Sequence, residues 1–152
     1  MPDPTRPLVI EAEVLLGQVY SLDDDETDTQ YHWSVTLALR LGKANNRLQS
    51  FLLSEAGMTP ERILLGYPDL DEVYALNTDL SQPLVFVSLR GKDVLIDGWH
   101  RAYLASLTGV DELLAYFLTE DEGNDCLLFR LPKERALDWG QPSSENTERK
   151  SS

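Results

Sequence analysis

The sequence predicts an α+β fold: a small mixed sheet with flanking helices, extended by an N-terminal β-hairpin. Three observations carry this. Two stretches in the first third alternate apolar and polar residues, short β-branched runs recur in the second half, and runs at helical spacing lie between and after them. The 152 residues suffice for one compact domain with a core, and 42% of them are hydrophobic, an ordinary share. We read residues 1–131 as that domain and the polar, Ser- and Pro-rich 132–152 as a disordered tail.

The elements follow in order. From Leu8 to Leu22, Ile10, Ala12, Val14 and Leu16 share one face and Glu11 and Glu13 the other. From Tyr31 to Leu41, Trp33, Val35, Leu37 and Leu39 oppose His32, Ser34 and Thr36. Both stretches read as half-buried strands of an antiparallel hairpin, with "DDDETDTQ" as its loop. Leu48, Phe51, Leu52 and Ala56 are spaced for a helix that Gly57 stops. Thr59 and Pro60 open another helix, as N-cap and first helical residue. "DLDEVYALN" reads as one more short helix. Strands are expected at Pro83–Leu89, Val94–Ile96 and Glu112–Thr119, with "RGKD" as a turn. Ala102, Leu104, Ala105 and Leu107 suit a buried helix that ends at Gly109.

Charge narrows the function. The net charge is −13. From Pro132 onward four basic residues (Lys133, Arg135, Arg149, Lys150) balance four acidic ones (Glu134, Asp138, Glu145, Glu148), so the whole deficit lies in residues 1–131. Such a surface repels phosphate backbones, and direct nucleic-acid binding is not expected. No stretch approaches the roughly 18 apolar residues of a membrane span, and "MPDPTRPL" is no signal peptide. A cytoplasmic protein is the expectation. Cys126 has no second cysteine to pair with and enters an apolar run, which reads as a buried structural thiol.

The chemistry gathers in "LIDGWHRAYLASLTG", where a strand meets a helix. Asp97 is placed as an N-cap, and Gly98 lets the chain turn sharply and a ligand come close. The helix start offers N–H donors and partial positive charge, while His100 and Arg101 add side-chain donors. These groups describe a phosphate cradle. The same residues also make an ordinary joint, since Asp-Gly turns and capping aspartates are common structure. Trp99 suits either stacking on a base or wedging into the core. Arg90 and Lys92 read as solvated, with the option of adding positive potential over the turn. "SLDDDETD" lacks the central Gly and later Glu of a calcium loop. His32 has no second ligand at metal spacing and reads as a sheet-face residue, and no metal site is expected.

The turn, preceded by "QPLVFV" and followed by an apolar strand, resembles the core of the ParB/sulfiredoxin-like superfamily, in which a strand ends in a D-G-x-H-R-type motif and runs into a helix. The likeness covers Leu80 to Leu118. It implies that Gly98, Trp99, His100 and Arg101 hold a nucleotide (ATP, ADP or CTP) with Mg2+, and that Asp97 and His100 are the catalytic candidates. The departures matter. Trp99 stands where sulfiredoxins carry their reactive cysteine, so sulfinic acid reduction is not expected. The box is poor in arginine and no helix-turn-helix follows, so centromere binding is not expected either. Free serine kinases of the superfamily use D-G-H-H-R and a glutamate base, for which Glu11 and Glu13 are the candidates. Two classes stay open: a nucleotide-dependent phosphotransferase or hydrolase, and a non-catalytic acidic module that binds a protein partner with a basic surface.

Overall fold

A computed structural model describes residues 17–132. The strand expected over residues 8–16, the glutamates Glu11 and Glu13, and the tail from residue 133 lie outside them. The described chain is α+β. Its strands are β1 (Val19–Asp24), β2 (Thr29–Ser34), β3 (Leu48–Leu52), β4 (Leu84–Leu89), β5 (Lys92–Asp97), β6 (Glu112–Phe117) and β7 (Leu127–Pro132). Its helices are α1 (Val35–Ala44), α2 (Pro60–Gly66), α3 (Glu72–Ala75), α4 (Trp99–Thr108) and α5 (Glu120–Asp125).

Two small sheets form instead of one. The hairpin β1–β2 is real, but β7 pairs antiparallel with β2, giving the order β1-β2-β7. The second sheet runs β3-β6-β4-β5, with β4 and β6 parallel and the other pairs antiparallel. No described helix is long and apolar enough to cross a membrane.

Two expected elements are overturned. The second hairpin strand stops at Ser34, and residues 35–44 are helical. The Ser34 hydroxyl accepts from Leu37 N–H at 3.1 Å, a helix-starting cap that outcompetes the alternation of Val35, Leu37 and Leu39. The face that α1 buries is Val35, Ala38 and Gly42. A Cβ on Gly42 would sit 2.7 Å from the Tyr116 ring, so the helix lies against β6 with no room for a side chain there. The helix expected around Leu48 to Ala56 is instead β3, zipped along β6 from Leu48↔Tyr116 to Leu52↔Glu112. The spacing Leu48, Phe51, Leu52 suits either element in isolation, and β6 supplies the partner that decides.

The other expected elements stand near where the sequence puts them, while α5 and β7 are elements it did not predict. Thr59 Oγ1 accepts from Arg62 N–H at 3.2 Å and Pro60 opens α2. Asp71 Oδ1 accepts from Val73 and Tyr74 N–H and starts α3. Gly109, at φ +79°, closes α4.

Strand β4 organises the interior. Leu84, Val85, Phe86 and Val87 are all buried. Leu84 and Phe86 face a cluster with Leu95, Ile63, Ala75, Ala102 and Tyr103, under α2, α3 and α4. Val85 and Val87 face a second cluster with Ile96, Trp33, Val35, Ala38 and Cys126, under α1 and the first sheet. A strand covered on both faces reads as an unbroken apolar run, which is how "PLVFVSL" reads. Phe86 and Phe117 stack at 4.7 Å where β4 and β6 run parallel.

Candidate functional site

Strand β5 delivers the Asp97–Arg101 turn to the first turn of α4. The turn is built differently from the sequence expectation in one respect. Gly98, not Asp97, is the N-cap, and no side chain caps the helix. Asp97 is drawn away because Arg101 lies one turn on: the guanidinium Nη2 donates to Asp97 Oδ2 at 3.1 Å and to the Pro83 carbonyl at 2.9 Å. The first intrahelical bond is Ala102 N–H to the Gly98 carbonyl, so the amides of Trp99, His100 and Arg101 stand ahead of it.

Gly98 is required here on two counts. Its φ is +107°, and a Cβ would clash with Leu84 Cδ2 and come within 3.2 Å of the Leu84 Cα. The backbone thus approaches β4 as closely as it can.

Trp99 takes the core-facing option. Its ring stacks on Tyr67 at 5.6 Å and 11°, its Nε1–H donates to the Leu95 carbonyl at 2.9 Å, and its far edge covers Gly66, where a Cβ would come within 2.8 Å. It pins α2 to α4. His100 is held by its Nε2, which accepts the Asp71 N–H at 3.1 Å. A ring nitrogen that accepts carries no proton, so the neutral ring is the Nδ1–H tautomer. Burial pushes the imidazole below its ordinary value; the Arg101 charge adds to this, and the Asp71 and Asp97 carboxylates oppose it. Tyr74 meets the imidazole edge-on at 4.8 Å.

A cavity of about 220 Å³ opens on this corner, lined by the whole turn from Ile96 to Arg101 and walled by Tyr20, Tyr67, Tyr74 and Thr78. Sequence reasoning places Asp97, Gly98, Trp99, His100 and Arg101 together, and the structure gathers all five. It missed the walls. Tyr67 caps the end of α2, Tyr74 lies within α3, and Tyr20 comes from the hairpin, stacked on Tyr67 at 6.4 Å. The only signal for them was the pair of tyrosines around "PDLDEV". Among the described residues the buried Arg101 Nε has no hydrogen-bond partner. Asp79, below its ordinary value chiefly through the Ser81 hydroxyl and amide, also feels the Arg101 charge.

Two side candidates resolve as structure. Arg90 does not reach the turn: it bridges Asp24 at 2.6 Å and Glu26 at 3.0 Å in the acidic hairpin. His32 lies on the sheet face between Ser21 Oγ and Gln30 Oε1. Cys126 is fully buried, and burial pushes its thiol up to about 12. Among the described residues no three His, Cys, Asp or Glu side chains converge on a metal-sized point.

Comparison with protein families, with curated proteins and with solved structures finds no match to this chain.

Proposed function

We propose that this chain binds the phosphate of a nucleotide at the start of α4. The observation that carries the reading is the coincidence of two features on one cavity: a helix start that no side chain caps and the Arg101 guanidinium. Backbone amides at a helix start favour a negative charge. The cavity is smaller than the roughly 300 Å³ at which drug-sized sites begin. It suits a phosphate inside, with the nucleoside outside against Tyr74, which is 59% exposed. This is the kind of site that the resemblance of the turn to the ParB/sulfiredoxin-like superfamily implies, and the fold is proposed to be of that kind.

The geometry favours binding over phosphoryl transfer. Asp97 is paired with Arg101, and His100 spends Nε2 on Asp71. Among the described residues Asp97 is the only carboxylate on the cavity wall, and these residues do not form a metal cage; Mg2+ would arrive on the phosphates. The same internal pairing supports a second reading, in which the turn is a joint and the acidic surface engages a basic protein partner.

A thermal-shift series with ATP, ADP, CTP and inorganic phosphate, each with and without Mg2+, separates these readings. Ligand at about 100 times its dissociation constant adds about 2.7 kcal/mol. Tyr74→Ala and Arg101→Lys should lose most of the nucleotide response. The lysine keeps a cation beside Asp97 but lacks the planar guanidinium fork. No response to any phosphate compound in the unaltered protein overturns the proposal.

A further inference from the structure

Among the described residues each sheet ends in two strands with one side unpaired, and natural sheets blunt such edges with charge or proline. β1 carries Asp23 and Asp24, β5 carries Lys92 and Asp93, and β7 carries Arg130 and Pro132. β3 is different: Leu-Gln-Ser-Phe-Leu holds no charge and no proline.

The hydrogen-bond parity of β3 is fixed. Leu53 N–H donates to the Asp111 carbonyl and Phe117 N–H to the Arg47 carbonyl, in the same register as the β3–β6 ladder. Bonded pairs alternate in an antiparallel ladder, so Gln49 and Phe51 turn their main chain toward β6. Leu48, Ser50 and Leu52 turn theirs outward. Only the Leu52 carbonyl finds another backbone partner among the described residues, Ala56 N–H at 3.3 Å. On the same face Leu48 is 45% exposed and Leu114, across from Ser50, is 46% exposed.

We infer that β3 is a self-association edge, and that its occupant is β3 of a second copy, antiparallel about a two-fold axis at Ser50. That axis pairs Ser50 with Ser50 and Leu48 with Leu52. The Ser50 pair exchanges two main-chain bonds, and each Leu48–Leu52 pair adds Leu52 N–H to the Leu48 carbonyl. All use groups that lack a described partner. The leucines of both copies then form one apolar stripe. The sequence selects the place: of the four edges, β3 alone carries neither a charged residue nor a proline. Antiparallel pairing also lays the exposed Lys43 end of each copy toward the exposed Glu55 end of the other, twice over. An isologous contact of this kind closes at two chains.

The test is sedimentation velocity on the full chain over a concentration series. The expected result is one chain at low concentration moving to two. Ser50→Pro removes the outward N–H that the Ser50 pair exchanges. In the single chain that N–H has no described backbone partner and the bonds of Gln49 and Phe51 to β6 are untouched, so its melting temperature should hold. Leu48→Lys, on an exposed side chain, is the second variant. Both should remain single chains at every concentration. Amide exchange adds a local reading: Ser50 and Leu52 N–H should slow only in the associated state, while Gln49 and Phe51 are slow throughout. A single chain at all concentrations, undiminished association of both variants, or slow Ser50 and Leu52 amides in dilute solution each overturn the inference. The last result would mean that another segment of the same chain covers the edge.

Discussion

Two helix starts in this molecule solve the same problem in opposite ways. At α5, Thr119 Oγ1 accepts from Glu122 N–H and the Glu122 carboxylate accepts from Thr119 N–H at 2.8 Å, a complete capping box. The carboxylate is 6% exposed and also takes Asn45 at 2.5 Å and Arg47 at 3.0 Å. Burial alone would raise its pKa, but these donors outweigh burial and hold it below the ordinary carboxylate range. At α4 the cap is a glycine, the neighbouring carboxylate serves Arg101 instead, and a cavity stands over the amides. The contrast separates a start closed by side chains from one that no side chain caps.

The largest effect should come from Gly98→Ala. The added Cβ meets Leu84, which is fully buried, and the backbone is left-handed. We expect a loss of roughly 3–5 kcal/mol, read by denaturant unfolding. Gly109→Ala is the control: its φ is +79° but nothing lies within 4 Å of a Cβ, so a loss of about 1–2 kcal/mol isolates the clash from the backbone strain. Equal losses would break the claim of close approach.

Glu122→Gln should cost about 2 kcal/mol, since it keeps the shape but surrenders charge-assisted bonds to Arg47 and Thr119. Thr119→Ala should cost about 1 kcal/mol, an ordinary cap deletion. A change of Asp97 to Asn should leave the amides of α4 unaffected, because Asp97 caps none of them; amide exchange at Trp99 and His100 checks this.

The smallest effect is in pH. The folded pKa of His100 lies below its ordinary 6.5, so the unfolded chain takes up the proton first. The stability due to the neutral ring is complete above 6.5 and is lost as pH falls from there through the folded value. Glu122 behaves as a lowered carboxylate: its contribution is present above its ordinary 4.5 and disappears at more acid pH. Thermal melts of the wild type against His100→Gln should diverge first just below 6.5. The glutamine can accept the Asp71 N–H but does not titrate. Parallel curves would show that the Asp71 contact does not depend on the imidazole being neutral.

Much of the second half was legible. β4, the RGKD turn, β5, α4 and β6 follow from apolar runs punctuated by glycine, and the five residues of the turn are neighbours in sequence before they are neighbours in space. The first half was not, for a physical reason. α1 buries Ala38 and Gly42, whose lack of bulk is what β6 needs, and small residues leave no apolar signature. The leucines and Trp33 around them alternate and mimic a strand. β3 owes its form to β6, whose paired residues lie 60 to 68 positions further along the chain. In the site, Asp97 was assigned to the amides because the competing claim of Arg101 depends on which rotamer wins. The tether of His100 to Asp71 and the tyrosine walls are long-range and have no local mark.

The double duty of β4 has a consequence for how the molecule comes apart. Leu84 and Phe86 belong to one cluster and Val85 and Val87 to the other, so that strand cannot peel from either layer while staying seated in the other. The two halves of the interior are bound to melt as a single cooperative event. Leu84, which fixes how near Gly98 may come, also ties the mouth of the cavity to that event.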